Sequence, residues 1–233
     1  VSRNAIPVPV AICFVGHRRR QLFISAFFGY DTTLDREGAT MANGNAWELR
    51  VTRLGIQTLT STGQQRTYGI YQVFLAGQAV TALQGNICEC PGPGDNTTPG
   101  NDKRIEQGRY PLWTQFGTRY HSIGYSTDLT TPAVLPMPGI NLRDTGNRSA
   151  ILVHPGHSPD LYLSSIGCLN PTRALGSQDT MDFWESRTRV IALIDSLRQF
   201  SPTSFQHDAP AQIPNAWVVI TGEPMQPLAA PAV

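Results

Sequence analysis

The chain has 233 residues, of which 40% are hydrophobic and 15% charged, with 21 glycines and 18 prolines. Charge well below the roughly 25% of an average soluble protein, together with so many turn formers, excludes a coiled coil, a helical repeat array and a disordered chain. Eighteen Lys and Arg against 17 Asp and Glu leave a net charge of +1, which gives no basic field for nucleic acid or an anionic membrane surface.

In chain order, the first segment is apolar but broken. Ile6 to Val15 contains Pro7 and Pro9, and Arg18-Arg19-Arg20 follows it, whereas a secretory signal places its charge first. No apolar run reaches the roughly 18 to 20 residues that span a bilayer. Residues 1–40 therefore read as an N-terminal arm or upstream remnant. Residues 41–223 read as one domain, and the Pro/Ala-rich residues 224–233 as a flexible tail.

Strands are expected at Trp47 to Leu54 and at Thr67 to Leu75, where Tyr68, Ile70, Tyr71, Val73 and Phe74 supply aromatic and β-branched residues. The pattern resumes from Ala79 to Leu83. Pro91 to Asn101 is a loop. Further strands are expected around Gly108-Arg109-Tyr110-Pro111, at Arg119 to Tyr125, at Ala150 to Val153 and at Ala216 to Thr221. Pro132 to Gly139 reads as a connection. One segment is helical: Asp179 to Phe200 carries Trp184, Val190, Ile191, Leu193, Ile194 and Leu197 near a 3.6-residue period. Ser177 or Asp179 could cap its start, and Pro202 lies just past its end. The order predicts a mostly β fold, an antiparallel sandwich or barrel with one late packed helix.

The four cysteines, Cys13, Cys88, Cys90 and Cys168, are too few for a disulfide scaffold. Cys88-x-Cys90 reads as a tight turn. The chemistry concentrates between Ile151 and Asn170. There a buried strand ends on His154, and Cys168 follows in a turn of small residues. A thiol becomes a nucleophile when a nearby base takes its proton, and imidazole is the usual base. Gly167 would let a substrate approach the backbone closely, and the Gly167 and Cys168 amides would form an oxyanion hole. The competing readings are a buried structural thiol, a core histidine, and a zinc site built from His154, His157 and either Asp160 or Cys168. Pro155-Gly156 between the histidines matches no helical ligand spacing.

Ser165-Ile166-Gly167-Cys168-Leu169-Asn170 resembles the signature of the L,D-transpeptidase catalytic domain (the YkuD type), in which a histidine precedes Ser/Thr-His-Gly-Cys-hydrophobic-Asn or Arg. Tyr71 to Val80 is similar to that family's early hairpin, Arg104 to Pro111 to its "TPxGxY" strand, and Arg148 to Gly156 to its "giHG" strand. The DUF5675 relatives, which lack the second histidine, are more similar still. The resemblance covers about Trp47 to Pro171. Ile166 stands where the family has a histidine, and the interval from His154 to Cys168 is short.

The resemblance implies a cysteine acyl-transfer enzyme acting on peptidoglycan stem peptides, by L,D-transpeptidase, L,D-carboxypeptidase or D-amino-acid exchange chemistry. It implies Cys168 as nucleophile, His154 as base and Gly167 at the oxyanion. Ser165, Asn170, His157, Arg109 and Tyr110 are the expected substrate contacts. No metal or other cofactor is implied. The expected location is the periplasm or cell envelope of a bacterium, reached without a Sec signal. Two alternatives stand beside this: an antibacterial secreted effector of the same class, paired with an immunity protein, and a non-catalytic cell-wall-binding or phage accessory module.

Overall fold

A computed structural model describes residues 45–224. The arm assigned to residues 1–40, Cys13 and the tail from residue 225 lie outside the described residues. The fold is mostly β, a nearly closed barrel-like sheet with one helix.

Three long strands form a meander: β1 (Trp47–Thr58), β2 (Gln65–Leu75) and β3 (Gln78–Glu89). Alternation drives β1, with Leu49 and Val51 facing the core and Arg50 and Thr52 facing solvent. A bulge at Arg53 to Gly55 shifts its register on β2. Opposite it, a Cβ on Gly69 would stand 2.5 Å from Thr52 O, so only glycine lets the strands meet there. A two-residue turn joins β2 to β3, with positive φ at both Ala76 (50°) and Gly77 (78°), the twist that a tight hairpin needs.

The remaining strands are shorter. β4 is Gly108–Thr114, β5 Tyr120–His121, β6 Met137–Pro138, β7 Ile140–Leu142, β8 Ile151–Val153, β9 Asn170–Thr172 and β10 Gln212–Thr221. Helix α1 (Phe183–Phe200) precedes β10 and is followed by a 3-10 turn at Pro202–Phe205. The main sheet runs β8-β7-β4-β10-β1-β2-β3-β9; β5 pairs with β6, and its His121 also bridges Phe116. Its neighbours are antiparallel except β1 and β10, which run parallel in the middle.

The two edges of this sheet meet. Val153, the last residue of β8, bridges Leu169, just ahead of β9. Two backbone bonds close the seam: His154 N–H donates to Leu169 O at 3.1 Å, and Leu169 N–H to Leu152 O at 2.8 Å. Helix α1 buries Phe183, Val190, Leu193, Ile194 and Leu197 in the core. Its Ser186 straddles the seam. The Ser186 hydroxyl accepts from Gly156 N at 2.9 Å, on the β8 side, and donates to Pro171 O at 2.6 Å, in β9.

Several expectations are corrected in detail. The helix starts at Phe183 with Asp182 as its cap, whose carboxylate accepts from Glu185 N, rather than at Ser177 or Asp179. The Arg119 to Tyr125 strand shrinks to two residues, and the Pro132 to Gly139 connection contains β6. Cys88 lies within β3 and Cys90 directly after it, with no tight turn between them. No helix among the described residues is long and apolar enough to cross a membrane.

Candidate active site

Cys168 and His154 arrive from opposite edges of the sheet and meet at the seam. β8 is three fully buried residues, Ile151-Leu152-Val153, and His154 is the next residue out. On the other edge, Cys168 directly precedes the bridging Leu169. Both side chains line one cavity of about 510 Å³, within the roughly 300–1,000 Å³ of small-ligand sites. A second, smaller cavity of about 140 Å³ also reaches Cys168, beside Arg148 and Gly100.

The ring of His154 is held in one tautomer. Its Nδ1 lies 2.8 Å from Pro155 O, which can only accept, so Nδ1 carries the proton and Nε2 is left as a base. Asn170 Nδ2 donates to His154 O at 2.9 Å and fixes the backbone beneath the ring. The Tyr120 ring lies over the imidazole with centroids 4.6 Å apart. Burial, opposed by the Pro155 bond, pushes the His154 pKa down to about 3, so the imidazole is neutral at rest.

The Cys168 thiol is 7% exposed, and burial pushes its pKa up to about 11. Three groups work against that rise: the Leu152 amide, which points at Sγ from 3.3 Å, the Arg148 guanidinium and the Ser165 hydroxyl. At rest the S–H faces Ala150 O at 3.6 Å. Among the described residues the site at rest is thus a neutral thiol and a neutral imidazole, not an ion pair.

The turn carrying the cysteine is wired by side chains. Ser165 Oγ accepts from Gly167 N at 2.9 Å and donates to Cys168 O at 2.8 Å. Arg148, itself buried, is gripped by three carbonyls, donating to Asp95 O (3.2 Å), Lys103 O (2.7 Å) and Ile166 O (2.8 Å). Gly167 has φ +139°, and a Cβ there would stand 2.1 Å from Arg148 Nη2. Glycine is therefore needed for the turn to lie on the guanidinium. Cys90 is packed beneath, its S–H donating to Ser165 O at 3.0 Å.

The sequence-predicted residues divide as follows. Cys168, His154, His157 and Ser165 line the main cavity. The Gly167 amide does not serve an oxyanion, because Ser165 already takes it; among the described residues only the Cys168 amide of that pair has no partner. Ser165 spends its hydroxyl within the turn. Asn170 is 1% exposed and holds His154 instead of meeting a ligand.

Arg109 and Tyr110 are not at the cavity. Strand alternation turns Tyr110 inward, where its hydroxyl donates to Glu106 O and accepts from Asn96. It turns Arg109 onto the Trp217 ring, near Glu48. The zinc reading needs Asp160 or Cys168 beside the two histidines. Asp160 is engaged by the Tyr162 and Leu163 amides and by Gln64, and no group of three or more His, Cys, Asp or Glu among the described residues could hold a metal ion.

Sequence reasoning missed the far wall of the cavity: Gln115, Thr118, Arg119 and Tyr120, from the segment after β4. Long-range closure of the sheet brings them there, and nothing local marks it. Arg119 and Asp160 are the charged residues of the lining, and Arg119 makes no ion pair among the described residues.

Set against family models, curated proteins and solved structures, the chain has no significant match. The site is read from its own geometry.

Proposed function

We propose that the protein is a cysteine acyl-transfer enzyme that acts on peptidoglycan stem peptides in the periplasm or envelope of a bacterium. One observation carries the reading. The sheet closes so that a cysteine from one edge and a tautomer-fixed histidine from the other share one cavity. A non-catalytic module has no use for a histidine whose Nε2 is kept as an acceptor in the same cavity as a thiol.

In this reading the substrate carbonyl enters the cavity above Cys168. His154 Nε2 takes the thiol proton as sulfur attacks. Values of about 3 and about 11 for the two groups make a standing ion pair costly, so transfer accompanies bond formation. The Cys168 amide faces the oxyanion, and the Leu152 amide steadies charge on sulfur. The imidazolium then protonates the departing amine of the terminal D-residue, leaving a thioester. Arg119, a cation at the cavity rim, suits the free carboxylate of that residue. Water or a small D-amino acid resolves the thioester in preference to a second stem peptide. The rim where the family has a histidine is Ile166, 68% exposed and apolar, and it offers a large acceptor no polar anchor. An effector role, with an immunity protein as partner, would use the same chemistry.

The test is mass analysis of disaccharide tetrapeptide incubated with the protein. Tripeptide, or tetrapeptide with an exchanged terminal D-residue, is expected. No product with wild type, or equal product with Cys168→Ala, would overturn the reading. A majority of 3→3 cross-linked dimers would overturn the preference for small acceptors.

A further inference from the structure

The cavity contains a second histidine arranged like the first. His157 Nδ1 lies 2.7 Å from Ser158 O, the carbonyl of the next residue, just as His154 Nδ1 lies on Pro155 O. A carbonyl can only accept, so His157 Nδ1 also carries the proton and Nε2 is again the acceptor. That Nε2 is 2.8 Å from the Tyr120 hydroxyl, which therefore donates to it. A hydroxyl whose proton already points at a base has its lone pairs left for another donor. Tyr120 and His157 both line the cavity of Cys168 and His154.

The placement separates this pair from the thiol's own base. The rings of His154 and His157 are 5.8 Å apart, with Tyr120 stacked on the former and bonded to the latter. The His157 main chain is pinned as well: its N–H donates to Ser164 Oγ at 2.7 Å, and that hydroxyl donates back to His157 O at 3.0 Å. Burial and the nearby Cys168 raise the Tyr120 pKa, so the phenol stays protonated and can relay a proton without becoming a phenolate.

We propose that Tyr120 and His157 form a second proton-accepting pair that serves release of the acyl group from Cys168, while His154 serves its attachment. The inference rests on the acyl-transfer reading above. In the step, the acceptor's oxygen or nitrogen bonds to the thioester carbonyl carbon. Its proton passes to Tyr120 Oη as the Tyr120 proton passes to His157 Nε2. The C–S bond then breaks with its electron pair on Sγ, facing the Leu152 amide. Sγ regains a proton as His157 gives one up, and the resting state returns.

The experiment is single-turnover mass spectrometry of the full chain with disaccharide tetrapeptide, following acyl-enzyme formation and decay in wild type, Tyr120→Phe, His157→Gln and the double variant. General-base loss is worth about 10²–10⁴ in rate. Each single variant should therefore lower the ratio of deacylation to acylation rate constants at least about 100-fold and accumulate acyl-enzyme. The double variant should be no slower than the worse single one, because the pair acts as a unit. Normal decay of the acyl-enzyme in His157→Gln overturns the inference, as does equal slowing of both steps in both single variants, which would indicate a structural role. If wild type forms neither acyl-enzyme nor product, the acyl-transfer reading falls and this inference with it. If wild type acylates and only the variant outcomes fail, the inference alone falls.

Discussion

The meander β1–β2–β3 and the seam between β8 and β9 are built on different principles. In the meander, strands of 11 and 12 residues make long ladders, and in β1 and β2 alternation decides which side chains are buried. At the seam, strands of three residues are buried throughout and meet through one bridge. Where the ladder is too short to hold itself, side chains take over: Ser186 across the two edges, Asn170 under His154, Ser165 and Arg148 around the turn. Gly69 apart, the meander can absorb substitutions residue by residue, whereas each seam contact holds the cavity in place.

The largest expected effect lies at the seam's reactive atom. Cys168→Ser should lower stem-peptide turnover by 10³-fold or more, while thermal melting stays close to wild type. Iodoacetamide should label Cys168 ahead of Cys88 and Cys90. All three thiols are raised to about 11 or 12 by burial, but only Cys168 lines the cavity, so access sets the order.

Gly167→Ala comes next. The added methyl collides with Arg148 Nη2 in a backbone conformation that suits glycine, and about 2–4 kcal/mol of stability should be lost in urea unfolding, with activity. A variant as stable as wild type would mean that the turn does not rest on the guanidinium. Ser186→Ala strands the Gly156 N–H and Pro171 O. It should cost about 2 kcal/mol and lower kcat more than KM, because it slackens both edges at once. An unchanged kcat would separate the helix from the site.

His154 sharpens the comparison through pH. Its folded pKa of about 3 lies below the ordinary 6.5, so below pH 6.5 the unfolded chain binds a proton that the folded chain refuses. Its contribution to stability is intact above pH 6.5 and is lost as pH falls from 6.5 toward 3, at up to about 1.4 kcal/mol per pH unit. His154→Gln should flatten that slope in melts across the range; an unchanged slope would assign it to other groups.

The smallest effect tests the meander. Ala76 holds φ 50°, which Asn tolerates better, so Ala76→Asn should stabilise by about 0.5–1 kcal/mol and leave turnover unchanged. A change in turnover would couple the hairpin to the seam.

The same division explains what the sequence discloses. β1 and β2 were legible because alternation and β-branched residues coincide there. β3 runs on to Glu89, past the expected end at Leu83. Its Gly85-Asn86 looks like a break, but Arg189 lies on Gly85 and fills the place of a side chain, with Nη1 2.3 Å from a built Cβ. β7 and β9 went unseen because three buried residues carry no period, and Asn170-Pro171-Thr172 has the composition of a loop. The Cys168 turn and the His154 strand end were legible because glycine and an abrupt end to an apolar run mark them locally. Tyr120, Arg119 and Arg148 carry no such mark, since only closure of the sheet gives them a role. Arg109 and Tyr110 were misplaced because a strand's two faces cannot be assigned to core and cleft before its neighbours are known.

The position of β10 has a consequence for the order in which the molecule assembles. β10 pairs with β1 on one side and β4 on the other, in the middle of the sheet. Until it inserts, the chain holds two half-sheets with no ladder between β4 and β1, one ending at β8 and the other at β9. The edges bearing His154 and Cys168 then rest on the short seam and on Ser186 of the helix. A chain whose residues 212–221 have not yet paired therefore lacks the central strand of the frame that holds its cavity. The cavity is thus completed late, after Cys168 has already been made.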